Sequence, residues 1–279
     1  MALRLSIFNE LPLKIDLSSY KTVQPDPLRG IRIPGIQHFN ISAQIATAYE
    51  IRSYVNGWRA QSRRLLEFWK PYYKRRFIVE PEAFHFRPDP NLLVLRVRRT
   101  TYLLGFWQTE KYFLDIQDKL RRELTVKHGL SGQDADLAKI ILSSNSVCIH
   151  IRHGDNATPV AQHLGVLPLR YYYEASEFIA AKVNNPIFFV FSDDPTWAQS
   201  NLKLNHPLNF VTHNDDETNY EDLRLMSLCH HHILANSTFS WWGAWLGRKS
   251  GQIVYAPKQY YQKLNRPNPD FYPDSWETI

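Results

Sequence analysis

Three polar segments in the second half of the chain each follow a short apolar run: His150-Ile151-Arg152-His153-Gly154-Asp155, Phe191-Ser192-Asp193-Asp194 and Asn236-Ser237-Thr238-Phe239-Ser240-Trp241-Trp242-Gly243. In an open parallel sheet, ligands gather beyond the carboxyl ends of the strands, so residues placed this way are candidates for one common site. Their chemistry suits a nucleotide sugar. A departing diphosphate needs its growing negative charge met by a metal ion, a guanidinium or a helix N-terminus. Arg152 offers a planar fork for bidentate phosphate contact. Ser237, Thr238 and Ser240 lie at the start of a helix, where hydroxyls and main-chain N–H groups cradle anions. They also serve as ordinary caps, and the two uses are compatible. Asp193 can accept the two parallel N–H donors of guanine, whereas Asp194, directly before Pro195, reads first as a cap. Asp155 or His153 can take the proton of an attacking hydroxyl, and Asp155 can equally be the carboxylate that fixes Arg152.

Upstream, Phe106 and Trp107, with Gln108 and Glu110, suit a wall against which a sugar stacks. Trp241, Trp242 and Trp245 read instead as core residues of a helix packed on a sheet. Two segments could hold a metal. Asp134-Ala135-Asp136 has the Asp-x-Asp pattern but follows Ser131-Gly132-Gln133 at a helix start, where acids simply favour the dipole. In His230-His231-His232, adjacent side chains of a strand point to opposite faces. No metal or other cofactor is expected.

The elements that must position these residues alternate. Val147 to Arg152, Ile187 to Ser192, Leu208 to Thr212, His232 to Ala235 and Gln252 to Ala256 read as strands. Leu169 to Val183, Pro195 to Lys203, Tyr220 to Cys229 and Phe239 to Lys249 read as helices between them. Such alternation predicts a parallel sheet with right-handed crossovers. In the third helix Asn219 is the expected N-cap, Asp222 completes a loose capping box, and Met226 packs in the core. The first half is less regular. A strand is expected over Leu11 to Leu17, and helices over Ala43 to Tyr54, Gln61 to Arg76 and Asp134 to Leu142, with proline-containing loops at 24–35 and 81–90. The domain boundary is placed near residue 140, giving domains over 1–140 and 141–279. Ala2-Leu3-Arg4-Leu5 reads as helix with no capping residue ahead of it, as though a preceding strand and loop were missing.

The 279 residues, 44% hydrophobic and 22% charged, have the composition of a globular protein with a sizeable core. No apolar run approaches the ~20 residues of a membrane span, and no leader pattern opens the chain, so a cytoplasmic protein is expected. Cys148 and Cys229 read as buried thiols. The net charge of +6 fits nucleic acid, anionic lipid or a phosphorylated small molecule alike. The clusters Arg96, Arg98, Arg99 and Lys74, Arg75, Arg76 read as solvated faces, and no nucleic-acid partner is expected.

These motifs resemble those of the inverting, GDP-fucose-dependent alpha-1,2-fucosyltransferases. The family's His-x-Arg-Arg-Gly-Asp motif matches His150, Arg152, Gly154 and Asp155, and its Phe-Ser-Asp-Asp and Asn-Ser-Thr-Phe-Ser-Trp-Trp-Gly-Ala-Trp-Leu segments match 191–194 and 236–246. Gly105-Phe106-Trp107-Gln108-Thr109-Glu110-Lys111-Tyr112-Phe113 and Leu11-Pro12-Leu13-Lys14-Ile15-Asp16-Leu17 extend the likeness over most of the chain. The resemblance implies a GT-B type α/β fold, two Rossmann-like domains facing a cleft, with the C-terminal one holding GDP-fucose. It also implies transfer of L-fucose, without a metal, to the 2-hydroxyl of a terminal galactoside. Carried over, Arg152 and Asp155 are catalytic; His150, Arg152, His153, Asp193, Asp194, Asn236, Ser237, Thr238 and Ser240 bind GDP-fucose; Trp107 and Gln108 meet the acceptor. Glycolipid acceptors would bring the protein to a membrane surface. Two departures stand out. His153 replaces the motif's second arginine, and the family's N-terminal Gly-Gly-x-Gly-Asn-Gln loop is absent, which leaves the N-terminal domain incomplete. A catalytically inactive binder of GDP or a GDP-sugar is the alternative.

Overall fold

The structure, a computed structural model, describes residues 1–22, 34–55, 57–82, 85–154, 164–263 and 267–279. The chain divides into two compact units, Met1–Glu123 with Asn268–Pro273, and Leu124–Pro267 with Asp274–Ile279.

Among the described residues, the strands of the second unit all belong to one six-stranded sheet. Its strands are β5 (Asn145–Ile151), β6 (Pro186–Ser192), β7 (Leu208–Phe210), β8 (His231–Ile233), β9 (Val254–Ala256) and β10 (Glu277–Thr278), in the order β10-β9-β8-β5-β6-β7. Every pairing is parallel, with His150 opposite Phe191 and Ile149 opposite Ile233. An all-parallel sheet must be covered on both faces, and its central strands β5, β6 and β8 are largely buried. Residues of β5 alternate between two cores. Val147, Ile149 and Ile151 pack with Phe188, Val190, Tyr172, Ala175 and Ile179, whereas Cys148 packs with Phe189, Phe191, Ala138, Ile141, Leu225 and Met226. The helices α7 (Gly132–Leu142), α8 (Leu169–Ala180), α9 (Pro195–Asn201), α10 (Asn219–Leu228) and α11 (Thr238–Leu246) supply those layers. Met226, Trp241 and Trp245 are core residues as expected, whereas Trp242, also expected in the core, is half-buried, and both cysteines are buried and unbridged.

The division between units falls at Glu123 and Leu124 rather than near residue 140. α7, placed by sequence ahead of the boundary, contributes Ala138 and Ile141 to the core on the Cys148 side of the sheet and so belongs with that sheet. The expected Asn219 cap is also revised. Asn219 is the first helical residue of α10, Thr218 holds the cap position without a side-chain cap bond, and Asp222 accepts instead from Asn214 at 2.8 Å. Tertiary partners outweighed the local capping pattern.

The first unit is built from small pieces. Its strands β1 (Lys14–Ile15) with β2 (Gln44–Ile45), and β3 (Phe77–Val79) with β4 (Tyr102–Leu104), form two separate parallel pairs. Its helices are α1 (Ala2–Phe8), α2 (Ser18–Thr22), α3 (Ala48–Tyr54), α4 (Trp58–Leu66), α5 (Pro90–Leu93) and α6 (Gln117–Glu123). The strand expected over Leu11 to Leu17 is thus two residues long. The helix expected from Ala43 starts at Ala48, because Thr47 and Glu50 form a reciprocal capping box that sets its first turn and leaves Gln44 and Ile45 to pair with β1. The helix expected over Gln61 to Arg76 begins earlier and stops at Leu66, ahead of Pro71 and a short 3-10 turn at Tyr72–Lys74. The expected loop at 24–35 lies mostly outside the described residues.

Candidate functional site at the carboxyl ends of β5, β6 and β8

From β5 the chain moves outward to β6 and β7 on one side, then returns to β8 on the other. The crevice between the ends of β5 and β8 is therefore a topological switch point, where open α/β sheets bind ligands. Arg152 directly follows β5, and Asn236 and Ser237 follow β8. One guanidinium nitrogen of Arg152, Nη1, lies 3.5 Å from the Asn236 carbonyl oxygen, so the arginine and the head of α11 share the crevice. The main-chain N–H of Arg152 donates to Tyr172, a buried tyrosine of α8.

The head of α11 is organised by hydroxyls. Ser237 is the N-cap, its Oγ accepting the Phe239 N–H at 3.2 Å, and the Ser240 hydroxyl donates back to the Ser237 carbonyl at 3.3 Å. Thr238 opens the helix and is half-buried. Asn236 has a structural job: its buried Nδ2 donates to the carbonyls of Leu164, Gly165 and Tyr260 at 2.9, 3.1 and 3.2 Å. It clasps two loop segments to the end of β8.

Beyond β6, the two aspartates divide their work. Oδ1 of Asp193 accepts the main-chain N–H groups of His153 at 2.7 Å and Gly154 at 3.1 Å. Gly154 lets the segments approach closely, since a Cβ there would sit 3.2 Å from the Asp193 carbonyl oxygen. Asp194 caps α9 by accepting the Trp197 N–H at 3.0 Å, as its position before Pro195 predicts. Its other oxygen meets His153 Nδ1 at 2.9 Å. The Trp197 bond and then the His153 bond hold the Asp194 carboxyl below its ordinary value. The His153 ring stacks on Trp197, with centroids 4.0 Å apart and planes 12° from parallel. Sequence reasoning missed Trp197, although its place three residues after the cap brings it back over Asp194.

His150 lies within the end of β5, buried, with its ring 5.9 Å from Phe239 at the head of α11. Burial holds its pKa down to about 4, so the ring is neutral at pH 7. Its Nδ1 has no hydrogen-bond partner among the described residues.

The structure thus brings His150, Arg152, His153, Asp193, Asp194, Ser237, Thr238 and Ser240 to one edge of one sheet. Asp155 lies outside the described residues. Trp107 and Gln108 belong to the first unit. There, a feature the sequence did not signal sets the turn: Glu80 accepts the N–H groups of Phe106 at 2.7 Å and Trp107 at 3.0 Å, with Trp107 in the left-handed region at φ 51°. The two possible metal motifs are engaged elsewhere. Asp134 accepts from His213 at 2.8 Å and Asn214 at 3.1 Å, Asp136 pairs with Lys139, and His231 Nδ1 accepts the Ile253 N–H. Among the described residues, no group of three His, Cys, Asp or Glu side chains is arranged to hold a metal.

The parallel sheet defines an α/β protein, and its switch-point crevice presents an arginine, a serine-capped helix and a buried neutral histidine, groups whose chemistry suits an anion. Comparison with known proteins makes this specific. The description Glycosyl transferase family 11 matches residues 51–279. The alpha-1,2-colitosyltransferase of Escherichia coli is 36% identical over 183 residues, 63% of this chain and 61% of that one. The Escherichia coli O-antigen biosynthesis glycosyltransferase WbnK is 33% identical over 211 residues, 73% of this chain and 68% of that one. Galactoside alpha-(1,2)-fucosyltransferase 1 of Mus musculus is 27% identical, with 62% of this chain matching 49% of that one. The chain belongs to glycosyl transferase family 11, and the resemblance read from its motifs is borne out. The chain spans less than two thirds of the length of two of these three relatives. Among solved structures, NodZ alpha-1,6-fucosyltransferase soaked with GDP-fucose matches 88% of this chain and 85% of its own at 13% identity and a TM-score of 0.48, a likeness too loose to carry weight.

Proposed function

We propose that this protein transfers L-fucose from GDP-fucose to the 2-hydroxyl of a terminal galactoside with inversion at the anomeric carbon. The observation that carries the reading is the convergence of Arg152 and the Ser237-capped head of α11 on one switch-point crevice. The similarity to an alpha-1,2-colitosyltransferase and to a galactoside alpha-(1,2)-fucosyltransferase supports the sugar class and the linkage.

In this mechanism the acceptor oxygen forms its bond to the anomeric carbon on the face opposite the diphosphate. The bond from that carbon to the phosphate oxygen breaks, and its electron pair leaves with GDP. Arg152 and the N–H groups at the head of α11 meet the charge that grows there, without a metal. His150 and Asp193 are assigned to the nucleotide. Asp155 takes the proton of the acceptor hydroxyl, with His153, held by Asp194 and Trp197, as the alternative base. Trp107 and Gln108 are assigned to the acceptor. His153 in place of a second arginine removes one permanent positive charge and favours slower turnover.

Incubation with GDP-fucose and lactose, with the product linkage read by NMR, tests the proposal. An alpha-1,2-linked fucosyl product is expected, and a different linkage overturns the assignment of the acceptor hydroxyl. Calorimetric binding of GDP with no transfer to any galactoside would replace the reading with that of a catalytically inactive binder.

A further inference from the structure

The net charge of the chain is concentrated in one short segment. Residues 58–76 carry seven of the 33 basic residues and one of the 27 acidic ones, so 26 of each sign remain elsewhere and the whole surplus of +6 resides here. Glu67, the single acid, is buried and pairs with Lys70 at 3.0 Å and Arg76 at 3.9 Å. Among the described residues, Arg59, Arg63, Arg64, Lys74 and Arg75 meet no carboxylate. Arg63 and Arg64 donate to the main-chain carbonyls of Ser53, Tyr54 and Val55, and Arg75 donates to those of Phe68 and Lys70. Such bonds orient a guanidinium and leave its charge uncompensated.

The same segment turns its apolar side chains outward. Within α4, Ala60 is the buried residue, while Trp58 and Leu65, seven apart and therefore on one stripe, are 73% and 74% exposed. Leu66, Phe68 and Trp69 continue that surface at 78%, 66% and 88% exposure. This inverts the usual arrangement of a surface helix, whose apolar stripe faces the core. Cations and aromatic rings interleave, with Arg59 5.3 Å from the Trp58 ring centroid and Arg75 5.9 Å from that of Phe68.

We propose that residues 58–76 dock the protein on an anionic phospholipid surface, with Trp58, Leu65, Leu66, Phe68 and Trp69 entering the headgroup boundary and Arg59, Arg63, Arg64, Lys74 and Arg75 facing lipid phosphates. Charge complementarity selects this occupant, and tryptophan with basic residues is the composition that lies in a membrane interface. Exposed leucines argue against nucleic acid, because an aliphatic side chain gives a base nothing to stack on. No described helix is long and apolar enough to cross a membrane, so the contact is peripheral among the described residues. The proposal is independent of the sugar-transfer reading.

Sedimentation of the full chain with vesicles of phosphatidylcholine alone, or of equal parts phosphatidylcholine and phosphatidylglycerol, tests it. Partition onto the anionic vesicles only, released by high salt, is expected. The exposed pair Arg59→Gln with Lys74→Gln should weaken partition about five-fold per charge removed. Trp58→Ser with Trp69→Ser should abolish quenching of tryptophan fluorescence by brominated lipid. Far-ultraviolet circular dichroism and the urea midpoint, measured on each variant, show that the fold persists, and salt release of the unaltered chain decides the matter where a variant misfolds. Equal partition onto both vesicles, no partition, or undiminished partition of the charge variant overturns the proposal. Retention on an oligonucleotide with none on vesicles assigns the surface to nucleic acid instead.

Discussion

The switch-point crevice of the second unit and the basic aromatic segment of the first use arginine in opposite ways. Arg152 extends from the end of a strand whose neighbours are buried on both faces, and its main chain and guanidinium are each held by groups of the same fold. Arg59, Arg63 and Arg64 stand on a helix with one buried residue and an apolar face in solvent. A preorganised charge loses little on meeting a transition state, which is what catalysis needs. A cluster of cations that meets no carboxylate among the described residues instead gives affinity for an extended surface and falls with salt. The difference teaches that the supporting core, more than the residue type, decides what an arginine does.

The largest test of this contrast is Arg152→Ala. It should lower transfer by the loss of one charge-stabilising donor, about 3 kcal/mol of barrier, with GDP-fucose and lactose turnover as the measurement. Unchanged turnover would break the comparison at its catalytic end.

Next comes Gly247→Ala. A Cβ at Gly247 would lie 2.3 Å from the Ser227 carbonyl oxygen, a main-chain atom that cannot swing away. Forcing α10 and α11 apart should cost on the order of 1–3 kcal/mol in urea unfolding, and the crevice should lose GDP affinity with it because α11 carries Ser237. Full retention of stability would show that the sheet does not hold its helices as tightly as described.

The third test is pH. Burial holds His150 down to about 4 and His232 down to about 3, both below the ordinary 6.5. A group with a depressed native pKa is fully stabilising above its unfolded value, so stability should fall as pH drops below 6.5 toward 4. The slope is at most about 1.4 kcal/mol per pH unit for each histidine. Asp222, raised by burial to about 6, acts in the opposite direction over the range from about 4 to 6 and offsets part of one histidine. Urea midpoints at pH 7 and pH 5 measure the net slope, and His232→Leu should flatten it. A slope unaffected by that change would move the linkage elsewhere.

The smallest effect is expected for Trp69→Ser. At 88% exposure its loss should change stability by no more than about 0.5 kcal/mol and leave transfer unaltered. A larger loss would mean that the first unit uses this ring as core.

The same contrast governs how much could be read from the sequence. β5 and β6 were legible because strands buried on both faces show as unbroken apolar runs, and their polar followers Arg152, Asp193 and Asp194 stand where such runs end. The Asp194 cap was legible from Pro195, and Met226 from helical spacing. In the first unit, β1 and β2 are two residues long, too short to show a period, so Gln44 and Ile45 read as part of the helix that Thr47 begins. Partners distant in sequence were illegible everywhere. Nothing near Asn236 announces the carbonyls of Leu164, Gly165 and Tyr260, nothing near Trp107 announces Glu80, and Asp222 was drawn from its cap by Asn214.

Asn236 carries a liability of its own. Its nitrogen is the donor to three oxygens, and hydrolysis of that single amide would set a carboxylate against all of them. Deamidation, a change of one heavy atom and one charge, would spring the clasp beside Arg152 while the strands beneath it stayed paired, so an aged preparation would remain folded and still lose the shape of the crevice.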